Sequence, residues 1–319
     1  MTFHQPGRSL RKPSVLSVGD KVALISPSSH MGEAAGEQIQ DALTILQGWG
    51  LEVAPLPEKE PRHLFFAGSD EERAKQFEVA YLDPDIKALF FTRGGYGATR
   101  ILPLLTAEAI SIAEPKSVVG FSDATALFAW LSRVAGISSL HGPCVAAPSL
   151  LNSETREDDL SALKQALFNP DDRPVFSVKA LNQKNVEATT VEGNLIGGCL
   201  AVLTTTLGTP WEIDTQDAVL FLEDIGEAPY RVDRMLAHLR TAGKLDHVRG
   251  IVFGHMTHCD SDPPGLLLEV LQDFFKNDPF PIAWGLPAGH GSPNRALWLG
   301  QPVQLDIQSD GEAQLAFTD

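Results

Sequence analysis

Cysteine is scarce in this chain: three among 319 residues, Cys144, Cys199 and Cys259. The set is odd in number and widely spaced, which excludes a disulfide framework and suits reduced, mostly buried thiols. Positive charge is also short, with 25 Lys and Arg against 41 Asp and Glu and a formal net charge of -16. That balance argues against nucleic-acid and anionic-membrane partners, because phosphate-rich surfaces are held by clustered cations. No apolar run approaches the roughly 18–20 residues that a bilayer-spanning helix needs. The segment from Met1 to Gly19 carries Arg8, Arg11 and Lys12 but has no apolar stretch, so it does not read as a secretory signal. Internal repeats and low-complexity tracts are missing too. What is present is an ordinary globular composition, 43% apolar and 21% charged. At roughly 100–200 residues per domain, the length suggests two domains or one large one. The expectation is an acidic, cytoplasmic, two-domain protein that acts on a small molecule.

The first half alternates strand-like and helix-like segments. Lys21–Ser26, Leu51–Pro55, Ile86–Thr92 and Lys116–Gly120 are short apolar runs that predict strands. Between them, Gly36–Gly48 has helical spacing, and Asp70–Tyr81 has the acidic first turn that favours the positive end of a helix dipole. Such alternation predicts a doubly wound, mostly parallel α/β domain over residues 14–150, with loops after Ser26, Thr92 and Gly120 gathered at the carboxyl ends of the strands. Ser149 to Asn185 changes character, with acidic residues, the turn segment Asn169–Pro174 and one helix near Leu160–Phe168. Residues 151–190 therefore read as a linker. From residue 191 to 319, short apolar runs interrupted by helices at Tyr230–Ala242 and Gly265–Asp278 predict a smaller, strand-rich α+β domain.

The most informative stretch is Ser117–Leu131, where a strand ends at Gly120, Ser122 occupies the turn and a helix begins at once. Gly120 and Ala124 are small on either side of Ser122, as a nucleophile elbow requires, and a helix N-terminus offers N–H groups to a developing oxyanion. The plain alternative makes Ser122 or Asp123 an N-cap. Arg93-Gly94-Gly95-Tyr96-Gly97 follows the third strand, too late and wrongly spaced for a dinucleotide loop, so an anion-binding or oxyanion role competes with a tight turn. A serine nucleophile needs a base and a group to orient it. His290, between Gly289 and Gly291, is the candidate base, against the alternative of a surface turn. Glu223 or Asp224, ending the apolar run Ala218–Leu222, could orient it, whereas Glu227 reads as a turn residue or a partner of Arg231. His255, His258 and Asp260 form an H-x-x-H-x-D pattern, but their spacing in an expected loop favours polar residues at a strand end over a metal site.

These segments, together with Gly19–Ser28, His141-Gly-Pro143, Glu192–Leu195, Leu222–Glu227, Tyr230–Met235 and Gly289–Arg295, resemble the LD-carboxypeptidase family in order along nearly the whole chain. That family of serine peptidases includes muramoyl-tetrapeptide carboxypeptidases and microcin C self-immunity hydrolases. The resemblance implies Ser122 as nucleophile, Glu223 as orienting acid and His290 as general base, at a domain interface. It also implies an oxyanion hole from the backbone N–H groups of Asp123 and Gly95. Arg93 or Arg295 could receive a substrate carboxylate, with Gly94 and Tyr96 as further substrate-binding candidates. The implied fold is a class I glutamine amidotransferase-like N-terminal domain joined to the strand-rich one. The implied activity is metal-free and cofactor-free release of terminal D-alanine from murein tetrapeptide, by a homodimer. Alternatives are hydrolysis of peptidyl-nucleotide antibiotics or other acylated amines, a generic α/β-hydrolase esterase, and a non-catalytic peptidoglycan-fragment binding protein. Cys199 and Trp298 depart from the commoner family residues, asparagine and proline.

Overall fold

The structure, a computed structural model, describes residues 10–33, 35–56, 61–169, 171–181, 188–261 and 264–319. Arg8, Pro170 and Asn185, which entered the sequence reading, lie outside the described residues. The strands in chain order begin with β1 (Lys21–Ile25), β2 (Glu52–Val53), β3 (Ile86–Phe91), β4 (Ser117–Gly120) and β5 (Ser139–His141). They continue with β6 (Val175–Ala180), β7 (Thr189–Cys199), β8 (Ala218–Ile225), β9 (Gly250–Thr257) and β10 (Ile282–Trp284). The last are β11 (Leu297–Leu299), β12 (Pro302–Ile307) and β13 (Glu312–Phe317).

The chain divides into two units, one built on Leu10–Asp172 with Arg295–Trp298, the other on Arg173–Asn294 with Leu299–Asp319. These limits differ from those expected. The helix Arg156–Phe168 belongs to the first unit, and β6, in what reads as linker, is a strand of the second.

In the first unit a six-stranded sheet runs β2-β1-β3-β4-β5-β11. The pairs β1–β2, β1–β3, β3–β4 and β4–β5 are all parallel. Crossover connections must return each strand to the same end, which places helices on the faces. The order reverses between β1 and β3, and at such a switch point the loops following the two strands diverge and leave a crevice. Those loops are Ser26–Ser29 and Arg93–Gly97. Next along the sheet, β4 runs into the helix Ala124–Trp130, every residue of which is buried. Such complete burial suits a helix whose residues are apolar all round apart from Thr125.

The second unit is a closed barrel, β10-β6-β13-β12-β7-β8-β9. Its β6, β13, β12 and β7 are antiparallel, and β7, β8, β9 and β10 run parallel. Closure removes the unpaired edges that an open sheet would expose. Leu220 and Leu222 of β8 and Ile251 and Phe253 of β9 pack with Val232 and Leu236 of the helix Pro229–Thr241 and with Leu271 of the helix Leu266–Phe274. At roughly 1.5–3 kcal/mol for each fully buried large apolar side chain, this cluster gives β8 a rigid footing. The first seven residues of β8 are buried, Glu223 and Asp224 among them. The barrel is a sheet separate from that of the first unit, so the second half does not prolong a single parallel sheet as the esterase reading requires. Cys144, Cys199 and Cys259 are buried and unbridged.

Candidate active site

In the first unit, Ser122 sits at φ 62°, in the left-handed region that side chains other than glycine rarely adopt. Holding it there costs about 1–3 kcal/mol, which the surrounding packing must offset. The neighbours explain how the turn is tolerated. A Cβ on Gly120 would lie 3.0 Å from Phe91 Cγ and 3.1 Å from Ala124 Cβ. Only small residues therefore let strand and helix converge here. The Thr125 N–H donates to Ser122 O at 2.9 Å, closing the first turn of the helix.

The glycine loop packs directly on this turn. A Cβ on Gly94 would stand 3.0 Å from Ser122 Cβ and 3.2 Å from its Oγ. Gly95, exposed and at φ 110°, abuts Ser29, and the Tyr96 N–H donates to Ser29 Oγ at 3.1 Å. Arg93 donates from Nη1 to His30 O at 3.2 Å. The Tyr96 ring is half exposed and rests near Phe65 and Phe66, with centroids 6.1 and 5.7 Å away.

Asp123 does more than the backbone role its position implies. Its buried Oδ2 accepts from Ser28 Oγ at 2.6 Å and from the Ala98 N–H at 2.7 Å. One carboxylate thus ties the loop after β1 to the end of the loop after β3. Burial raises the Asp123 pKa, while the two hydrogen bonds and the nearby Arg73 charge act against the rise. Arg73, fully enclosed, braces the same two loops by donating to Pro27 O and, at 2.8 Å, to Gly97 O. Neither brace is visible in local sequence, because each spans distant segments. Arg295 is held elsewhere in this unit, 3.6 Å from Asp159 and 3.9 Å from Asp158.

In the second unit, Glu223 has no solvent exposure, and its Oε2 accepts from His290 twice. The Nδ1–H donates at 2.7 Å and the backbone N–H at 3.0 Å. Of Glu223 and Asp224, between which the sequence left the choice open, it is Glu223 that bonds to His290. Glu223 shares a face of β8 with Phe221, both lying against Gly254 of β9, and the β8–β9 register shifts between Leu222 and Asp224. Asp224 is occupied otherwise, accepting from the Ala201 N–H and the Ile225 N–H, both at 2.8 Å. Burial pushes its pKa up to about 6, with the Glu223 and Glu227 charges adding to the rise and the two N–H donors opposing it. Glu227 lies 3.5 Å from Arg231.

Glycines make the space for this pair. Gly289, at φ 111°, lies so close that a Cβ there would be 2.8 Å from both Cβ and Cδ of Glu223. A Cβ on Gly254 would be 3.2 Å from Glu223 Cβ. For His290, burial alone would lower the pKa, but the Glu223 hydrogen bond and charge, with the Asp224 charge behind them, raise it overall. With Nδ1–H given to Glu223, the proton-accepting nitrogen is Nε2, the arrangement a general base needs.

The H-x-x-H-x-D segment serves structure instead. His255 Nε2–H donates to Pro293 O at 2.8 Å, and Asp260 accepts from the Gly265 and Leu267 N–H groups at the start of a helix. Among the described residues, no group of three or more His, Cys, Asp or Glu side chains is arranged to hold a metal ion.

Comparison with known proteins places the chain by class first. Residues 22–142 match the LD-carboxypeptidase N-terminal domain and residues 192–305 the LD-carboxypeptidase C-terminal domain, so the chain belongs to the LD-carboxypeptidase family of serine-type peptidases. Among its relatives is the murein tetrapeptide carboxypeptidase of Pseudomonas aeruginosa, 30% identical over 298 residues, 91% of this chain and 94% of that one. The microcin C7 self-immunity protein MccF of Escherichia coli is 27% identical over 92% of each chain. The crystal structure of the muramoyltetrapeptide carboxypeptidase from Oxalobacter formigenes superposes with a TM-score of 0.80 at 31% identity, covering 94% of this chain and 99% of that one. The family is enzymatic, which sets aside the reading of a non-catalytic binding protein.

The close packing of Gly94 on Ser122 yields a prediction. If Ser122 is the nucleophile, Gly94→Ala should lower kcat by about tenfold or more while leaving the melting temperature within a few degrees, because displacing Oγ costs rate before the fold loses stability. Steady-state kinetics beside thermal unfolding measure both.

Proposed function

We propose that this LD-carboxypeptidase cleaves the L,D-peptide bond that releases terminal D-alanine from murein tetrapeptide in the cytoplasm, through Ser122, Glu223 and His290 acting as a triad. The observation that carries the chemistry is the double acceptance by the buried Glu223 Oε2, from both Nδ1–H and N–H of His290. Such a grip fixes the tautomer and the orientation of the imidazole together. The substrate rests on the relatives named for murein peptides at 30% identity and above. The lower identity to MccF keeps hydrolysis of acylated amines as the second reading. Family resemblance also supports a homodimer. No helix among the described residues is long and apolar enough to cross a membrane.

In the proposed reaction, His290 Nε2 takes the Ser122 proton as Oγ attacks the carbonyl carbon. The backbone N–H groups of Asp123 and Gly95 receive the oxyanion, held ready by the braces that Asp123 and Arg73 give the loops. Collapse breaks the C–N bond, and D-alanine leaves with the proton from His290 Nε2. Water then gives a proton to His290 and attacks the acyl carbon, and Ser122 Oγ departs with that proton. Arg93 is the better receiver for the substrate carboxylate, since Arg295 is already engaged by Asp158 and Asp159. Gly94 and Tyr96 would line the bound peptide.

Purified Ser122→Ala protein should release no D-alanine above background when incubated with murein tetrapeptide and followed by mass detection. Normal release would overturn the assignment, and turnover of an aminoacyl-sulfamoyl nucleotide without D-alanine release would favour the second reading. A pH profile gives an independent check. His290 must be neutral to act, and its pKa is raised above the ordinary value of about 6.5. Activity should therefore fall with acid through a midpoint above about 6.5 in kcat/KM. Glu223→Gln removes the charge that holds the proton, so the midpoint should move to lower pH while kcat drops by about three to four orders of magnitude.

A further inference from the structure

We propose that His255, at the end of β9, is a positioning residue that holds the His290 loop in register with Glu223; this inference deepens the triad reading and rests on it. The loop Gly285–Asn294 follows β10 and ends where the chain enters residues 295–298 of the first unit, and His290 lies in its middle. Residues of β9 grip both limbs. On the incoming side, the Gly285 and Leu286 N–H groups donate to Phe253 O, each at 3.0 Å, and the His255 N–H donates to Ala288 O at 2.9 Å. On the outgoing side, the His255 ring donates from Nε2–H to Pro293 O at 2.8 Å. A carbonyl only accepts, so this bond requires the proton on Nε2.

The ring also acts as a floor. A Cβ placed on Gly291 would lie 2.6 Å from His255 Cδ2, closer than side-chain carbons approach. The Gly291 backbone therefore rests on the imidazole face. A single residue thus links to the loop two positions before His290 and three positions after it, and supports the residue next to it. Within the loop, the Gly289 N–H donates to Asn294 Oδ1 at 2.9 Å, which closes the two limbs on one another. Removing the His255 ring would release the outgoing limb from β9 and open a space under Gly291. The loop around His290 would then keep only its incoming-limb bonds to β9 and the Gly289–Asn294 bond.

A merely structural role would change stability and leave the His290–Glu223 bond as it is, so the test reads that bond directly. In the full-length enzyme, His255→Ala should lower kcat on murein tetrapeptide by about 10- to 100-fold with KM little changed, because orientation of the base matters to the chemical step more than to binding. His255→Gln can still donate to Pro293 O and should recover most of the loss. In proton NMR without substrate, the strongly downfield signal of the His290 Nδ1–H should weaken or vanish in His255→Ala and return in His255→Gln. Gly291→Ala attacks the same contact from the other side and should cost far more in the wild-type background than in His255→Ala. The Gln and Gly291 variants keep the test open if His255→Ala does not fold.

Wild-type kcat in folded His255→Ala would overturn the proposal. So would equal impairment of the Ala and Gln variants with the downfield signal intact in both. Failure of the triad reading has a different mark: Ser122→Ala would retain activity, while the downfield signal, read without turnover, still reports on His255.

Discussion

A carboxylate with no access to water must find its compensation inside the protein, and the second unit is built around that requirement at Glu223. Leaving such a charge unpaired would cost several kcal/mol, more than most single interactions can offset. Two N–H donors from one residue, His290, meet Glu223 Oε2. Meeting them demands a loop that passes within van der Waals distance of the Glu223 side chain, which only glycine at 289 permits. It also demands space beside β8, and Gly254 of β9, where a Cβ would stand 3.2 Å from Glu223 Cβ, supplies it. The closed barrel then keeps both strands from moving apart.

The first unit solves a different problem with the same means. Ser122 is held in a backbone conformation that costs energy, and small residues at 94, 120 and 124 give it room. Two buried charged residues, Asp123 and Arg73, join the loops that follow β1 and β3. For the oxyanion role proposed above, the N–H groups of such a loop must already be oriented, since reorganising them during reaction would consume the stabilisation they provide. The braces hold the two loops beside the Ser122 turn in that way.

Much of this was legible in the sequence, and the reasons can be stated residue by residue. The serine turn could be read because small residues must flank it two positions away on both sides, a purely local demand. The parallel α/β sheet followed from the alternation of apolar runs with helical periods. His290 stood out because glycines on both sides make it a poor core residue. The choice between Glu223 and Asp224 was closed to local reading, since neighbours on a strand face opposite ways and the partner that distinguishes them, His290, lies 67 residues further on. The His255 contact was closed to local reading because its partner, Pro293, lies 38 residues further on. Strand β6 was hidden in an apparent linker because only one of its six residues is buried, so it carries little apolar signal. The return of residues 295–298 to the first unit is a tertiary fact with no local mark.

The claim on which the account turns is that buried Glu223 fixes His290 with its proton on Nδ1, leaving Nε2 to take the proton from the nucleophile. Nitrogen-15 NMR of the histidine side chains, with His290 assigned by its loss in His290→Gln, reads that tautomer directly at a pH where the ring is neutral. The account predicts a protonated, hydrogen-bonded Nδ1 and a bare Nε2, and the shift of Nδ1 should change on Glu223→Gln. A neutral His290 with its proton on Nε2, or one indifferent to Glu223, would contradict it.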